Sequence, residues 1–187
     1  MHLDAYRSQA QAFASELGRE HYRHFAGLQE TYAIEAIYDR HAALFDRAAV
    51  ERLRAAGNRD LLRFAVEGHV GQATKDLDTE LARREAELEL EAAGRRLRFR
   101  ESVPVQANEP DGDLRADIER ARLDATRDAL TPLARQALET HHALAVELGW
   151  GSYRAMWEEL LGLDLAALER QTAAFAAATA TTYPALL

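Results

Sequence analysis

The chain has 187 residues, 48 % of them hydrophobic, with no cysteine and a formal net charge of −8. That length suits one domain, residues 1–187, able to bury about two-thirds of its unfolded surface without covalent staples. Disulfides and thiol nucleophiles are excluded, the negative charge speaks against nucleic acid as a partner, and no apolar run approaches the roughly twenty residues that cross a membrane.

Asp4 and Arg7 fall where a secretory signal would need an apolar core, so a cytoplasmic location is the expectation. Alanine is abundant, Lys75 is the single lysine, and only four prolines and ten glycines interrupt the chain. Alanine favours helix at little entropic cost, so composition predicts an all-α fold. Leu3, Tyr6, Ala10, Phe13, Leu17, His21, Phe25, Leu28 and Tyr32 recur at steps of three and four, which predicts a long first helix. A second register, Ile34, Ile37, Tyr38, His41, Leu44 and Phe45, leaves open one long helix or two joined near Gly27. Asp46 is placed to cap a short helix over Arg47 to Ala56, ended by Gly57-Asn58.

A second long helix is predicted over residues 59–93, with Leu62, Val66, Val70, Ala73, Leu77, Leu81 and Leu88 on one face and Gly94 at its end. Glu80 and Arg84 stand at the supportive i, i+4 spacing. In residues 95–110, Leu97, Phe99, Val103 and Val105 alternate with polar residues, while Pro104 and Pro110 disfavour helix, so a short extended arm or hairpin is expected. Arg95, Arg96, Arg98 and Arg100 form a basic cluster there, read as pairing with nearby glutamates or water, with an acidic partner as the alternative.

Asp113 is the expected cap of a central helix whose stripe runs through Leu114, Ile118, Ala121, Ala125, Ala129, Leu133, Ala137, Leu144 and Leu148, with a kink near Ala129 or Leu130 imposed by Pro132. After Gly149-Trp150-Gly151, Ser152 caps a short helix closed by Gly162, and Asp164 caps a last one to about Thr182, its stripe including Leu168, Phe175 and Tyr183. Long helices joined by brief turns predict an elongated antiparallel bundle, with at least two helices exceeding about thirty residues.

Chemistry is sparse. Glu139 and His142 make one Glu-x-x-His unit, of which di-iron bundles use two, and no other histidine has a glutamate three residues before it. His21 and His24 read as surface residues, and no His-Glu-x-x-His, phosphate loop or nucleophile elbow is present. The aromatic cluster Trp150, Tyr153 and Trp157 is the candidate site, as either a core corner or a groove lining.

The stretch Ala145-Val146-Glu147-Leu148-Gly149-Trp150-Gly151-Ser152-Tyr153, followed by Trp157, resembles the segment A-x-x-L-G-aromatic-x-S-Tyr that precedes the catalytic half of oligoendopeptidase-type zinc metallopeptidases. The layout is similar too: a long charged helix, an extended arm, Asp113, Arg115 and Arg122 entering another long helix, and a final Thr181-Thr182-Tyr183-Pro184. The resemblance implies a non-catalytic helical region that walls and roofs a peptide channel. Zinc, its two histidines and its glutamates would then belong to a downstream catalytic half, so the resemblance assigns no catalytic or metal residue to this chain. The expected partners are a peptide or that C-terminal half. A stand-alone helical interaction module, able to form a homo-oligomer, is the rival reading, and a metal-carrying bundle the third.

Overall fold

The structure is a computed structural model that describes residues 3–92 and 94–182. It is 79 % helical with one small antiparallel hairpin, so the chain is essentially all-α. Among the described residues no helix is long and apolar enough to cross a membrane.

Helix α1 (Leu3–Phe25) buries Tyr6, Ala10 and Phe13 and stops well short of Tyr32. Gly27 adopts φ +72 and turns the chain back, a conformation glycine takes without steric cost. The Glu20 carboxylate ties down the returning segment by accepting the Ala33 N–H at 2.6 Å and the Gln29 side-chain amide at 2.7 Å. Helix α2 (Ile34–Arg40) and one 3-10 turn (Ala42–Leu44) follow, so the two registers belong to two helices. Asp46 caps α3 (Arg47–Ala55) through the Ala49 N–H at 2.6 Å, and Asn58 caps α4 (Arg59–Glu87) through the Leu61 N–H at 3.1 Å.

Helix α4 is the central element, touched by α2 and α3 and, from later in the chain, by the helices over Phe99–Asn108, Thr131–Glu147 and Tyr153–Leu161. It has 29 residues and ends at Glu87, earlier than the expected end at residue 93. Strands β1 (Glu89–Ala92) and β2 (Arg95–Arg98) pair antiparallel, with Glu89 opposite Arg98 and Glu91 opposite Arg96. The extended structure thus lies in residues 89–92 and 95–98, not over 95–110. Leu90 and Ala92 point inward while Glu89 and Glu91 face solvent, the period of two that a half-buried strand requires. Arg95 reaches Glu109 at 3.9 Å, Arg96 reaches Glu89 at 3.4 Å, and Arg100 reaches Glu85 at 3.8 Å, so these members of the basic cluster meet glutamates of the chain.

Residues expected to be extended next are helical instead, as α5 (Phe99–Asn108), with Pro104 inside. Burial of Ser102 and contacts with α4 and with the following helix outweigh the hydrogen bond that the proline removes. Asp111, not Asp113, caps α6 (Gly112–Ala125), accepting from the Asp113 and Leu114 N–H groups. The break expected at Ala129 or Leu130 is a π turn, Thr126–Leu130, leading into α7 (Thr131–Glu147). Pro132 cannot donate to the preceding turn, and Thr131 compensates by sending both its N–H and its hydroxyl to the Thr126 carbonyl.

Helix α8 (Tyr153–Leu161) is capped by Ser152 and closed by Gly162 at φ +65. Helix α9 (Leu165–Thr179) is capped by Asp164 and buries none of its residues. The stripe position Tyr183 and the Tyr183-Pro184 part of the resemblance lie outside the described residues.

The core lies where α1, α2, α3, α4, α7 and α8 meet. Phe13 sits edge-on to Phe45 at 4.6 Å and to Tyr38 at 5.1 Å, and Phe45 meets Phe64 at 5.5 Å. The Tyr6 hydroxyl donates to the Leu44 carbonyl at 2.8 Å, and burial pushes this phenol up to about 12.

Candidate functional site

The aromatic cluster divides between core and surface. The Gly149 turn, φ +95, swings Trp150 back under α8, where it is 7 % exposed. Its indole N–H donates to Glu159 at 2.9 Å and the Arg54 guanidinium lies 4.1 Å from its ring centre. Arg54 is held there by donating to the Leu148 carbonyl at 3.0 Å. Tyr153 and Trp157 are half-buried at the edge of this corner, 6.0 Å apart and edge to face. Tyr153 also stacks on His142 at 4.9 Å and lies 6.0 Å from His141. Beyond His142, the outer face of α7 carries a shallow groove of about 680 Å³ lined by Thr131, Ala134, Arg135, Leu138, Glu139 and His142.

His141 looks across to α4. Gly71, Thr74 and Asp78 form a short stripe of small and polar residues on α4, one helical face at spacings of three and four. The Tyr38 hydroxyl lies so close to Gly71 that a Cβ there would come within 2.1 Å of it. Asp39 pairs with Lys75 one turn along, and the Tyr32 ring packs at a tilt against His21 at 5.6 Å and His24 at 4.8 Å. Helix α2, which carries Tyr38, and helix α7, which carries His141, both pack on α4.

Asp78 ends that stripe on α4. Burial raises its carboxyl pKa, opposed by the hydrogen bond from Thr74 and by His141. Burial together with the Asp78 charge pushes the Tyr32 phenol up to about 12 and raises Tyr38 as well, and burial lowers the His141 imidazole. A carboxyl whose folded pKa is raised contributes stability that is complete below its unfolded value of about 3.9 and is lost as pH rises through the folded value. Asp78→Asn is therefore expected to raise the thermal midpoint at pH 7, the gain vanishing toward pH 3. Equal midpoints for wild type and variant at pH 7 would show that the carboxylate is well solvated.

Periodicity does not single out Asp78, because it stands in a charge-rich stretch of α4. The available signal is the interruption of an apolar face by Gly71, Thr74 and Asp78. His24, expected on the surface, is 3 % exposed. One ring nitrogen meets the Thr31 carbonyl at 3.3 Å and the other meets Arg100 at 3.1 Å. With Arg100 donating, the first nitrogen carries the proton to Thr31. Glu139 and His142 share the α7 groove, but among the described residues no three of His, Asp and Glu gather in a way that could hold a metal ion. A catalytic zinc needs three protein ligands and an open position, and Glu139 with His142 offers two donors. No family model matches the chain, and no curated protein or solved structure matches it either.

Proposed function

We propose that the chain is the helical wall of a peptide channel, the non-catalytic part of an oligoendopeptidase-like zinc metallopeptidase. The observation that supports this best is the partly exposed strip of rings formed by Tyr153, Trp157, His141 and His142, continuous with the segment that carries the resemblance. Extended peptides are held by such strips through apolar contact with rings and a few polar anchors. The elongated antiparallel bundle belongs to the same reading, since a wall needs long helices laid side by side.

The catalytic half supplies zinc and water activation in this arrangement, and the present chain supplies shape. Purified alone, it is expected to carry far less than one zinc per chain and to leave a quenched fluorescent peptide mixture uncut. Near-stoichiometric zinc by elemental analysis together with chelator-sensitive cleavage would refute this part. The reading as a whole is tested by unlabelled peptides. Saturable quenching of the tryptophan emission, lost on Tyr153→Ala with Trp157 in place, supports it, and no peptide-dependent change sinks it.

A second reading, a self-associating helical module, is favoured by one observation. Helix α9 buries no residue, and Leu168 and Phe175 are 49 % and 71 % exposed. Sedimentation that shows a dimer abolished by Phe175→Ser, with no peptide binding, would favour the module over the channel wall.

A further inference from the structure

We propose that the cleft between α1 and α4 is a binding site for a small flat aromatic molecule with one N–H or O–H donor, of the indole class. None of the residues lining it belongs to α7 or α8, so it does not depend on the peptide-channel reading.

The cleft has a volume of about 310 Å³. Helix α1 contributes Leu17, Gly18 and His21 to its walls, and α4 contributes Phe64, Glu67 and Gly68. Phe13 lies deepest, 4 % exposed, with the Tyr38 and Phe64 rings set edge-on to it at 5.1 Å and 6.1 Å. Glycine stands on both walls, for different reasons. A Cβ at Gly68 would run into the Phe45 ring at 2.0 Å, so packing requires glycine there. A Cβ at Gly18 would meet nothing within 4 Å, and Gly18 lies inside a regular helix without a positive φ. Glycine weakens a helix interior relative to alanine. Neither packing nor backbone geometry calls for it at 18, and the effect of its missing side chain is to leave the cleft open.

The lining selects the guest. An apolar cavity of about 150 Å³ takes up benzene, so roughly twice that volume suits two fused rings. Phe13, Tyr38 and Phe64 offer ring faces and edges at steep angles to one another, and a flat aromatic guest gains from both kinds of contact. Two polar groups stand among these rings, Glu67, which is exposed, and His21, which is half-buried. Glu67 meets Arg63 at 3.8 Å, too long for a hydrogen bond, so that pair leaves the carboxylate able to accept one. The His21 ring is packed by Tyr32 at 5.6 Å and Phe25 at 6.2 Å, and burial lowers its pKa, which keeps one ring nitrogen an acceptor at pH 7. An anionic guest would be repelled by Glu67, and an aliphatic one would forgo the ring contacts. A flat apolar molecule with a single donor answers to both the rings and the acceptors.

The experiment uses the whole chain and three probes: indole, its isostere benzofuran, which lacks the N–H, and the anion indole-3-acetate. Binding is measured by calorimetry, and the ring protons of Phe13, Phe64 and His21 are followed by NMR. Indole is expected to saturate with a dissociation constant below about 1 mM and to shift those rings, with benzofuran about fivefold weaker and indole-3-acetate weaker still. Gly18→Leu puts a side chain into the cleft. It should weaken indole by about tenfold or more while the urea midpoint stays at or above that of wild type, since leucine is the better helix former. No saturable indole binding, indole binding that Gly18→Leu leaves unchanged, or shifts confined to rings outside the cleft overturns the assignment. Benzofuran or indole-3-acetate binding as tightly as indole shows that Glu67 and His21 do not choose the guest, and overturns the indole class. Should Gly18→Leu fail to fold, Ala14→Leu on the same wall takes its place in every arm.

Discussion

Gly68→Ala is expected to destabilise the chain by about 3 kcal/mol, even though alanine is the better helix former by about 1 kcal/mol. Gly68 faces the Phe45 ring, and a Cβ built there would lie 2.0 Å from its Cδ1 and 2.1 Å from its Cε1. The ring has nowhere to go. It is 1 % exposed and boxed by Phe13 at 4.6 Å, Phe64 at 5.5 Å and Tyr38 at 5.8 Å. Close-packed interiors transmit such an overlap as strain instead of absorbing it. Gly18 is the control, since a Cβ there meets nothing within 4 Å. Gly18→Ala should therefore follow propensity alone and gain up to about 1 kcal/mol. Urea midpoints of the two variants should move in opposite directions. A Gly68→Ala midpoint at or above that of wild type would mean that α4 and the Phe45 ring are not in contact as described.

Trp150→Ala is expected to cost about 3 to 5 kcal/mol, the range for deleting a large buried ring. Two further groups lose their partner with it. The Arg54 guanidinium lies over the ring, and its Nη2 is already buried without a hydrogen bond. Glu159 loses the indole N–H. Trp157→Ala should cost less, about 2 kcal/mol, because Trp157 is only partly buried. Guanidinium denaturation of the pair gives the order directly. A larger loss at Trp157 would make that ring the anchor of the corner and Trp150 its cover.

Part of the site was readable from the amino acids. Trp150, Tyr153 and Trp157 stand out because large rings beside Gly149 and Gly151 must fill a corner or line a surface. The assignment of Trp150 to the corner and of Tyr153 to the rim required the turn at Gly149, whose positive φ sets the direction in which Trp150 leaves the helix. For Asp78 the sequence offers only the interruption of an apolar face by Gly71, Thr74 and Asp78. Tyr32 and Tyr38, from the segment before α2 and from α2, and His141, from α7, influence it from distant parts of the chain, and no local spacing encodes that meeting.

The sequence by itself determined the helical class, the caps at Asp46, Ser152 and Asp164, the stop at Gly162 and the disturbance near Pro132. Each of these depends on residues within one or two turns: a side-chain oxygen facing free N–H groups, a glycine that accepts positive φ, a proline without a donor. Tertiary structure alone decided where α4 ends. Glu-Leu-Glu-Ala at 89–92 satisfies helix propensity as well as strand alternation, so local preference does not choose between them. Pairing with the arginines of β2 and burial of Leu90 and Ala92 beneath α6 tip the balance to the hairpin. The same holds for the end of α1, where Glu20 holds the returning chain, and for α5, where Ser102 is buried in spite of Pro104. In each case contacts between segments far apart along the chain outweigh a local preference, about 1 kcal/mol per residue or less for ordinary residues and about 3 kcal/mol for Pro104 in a helix interior.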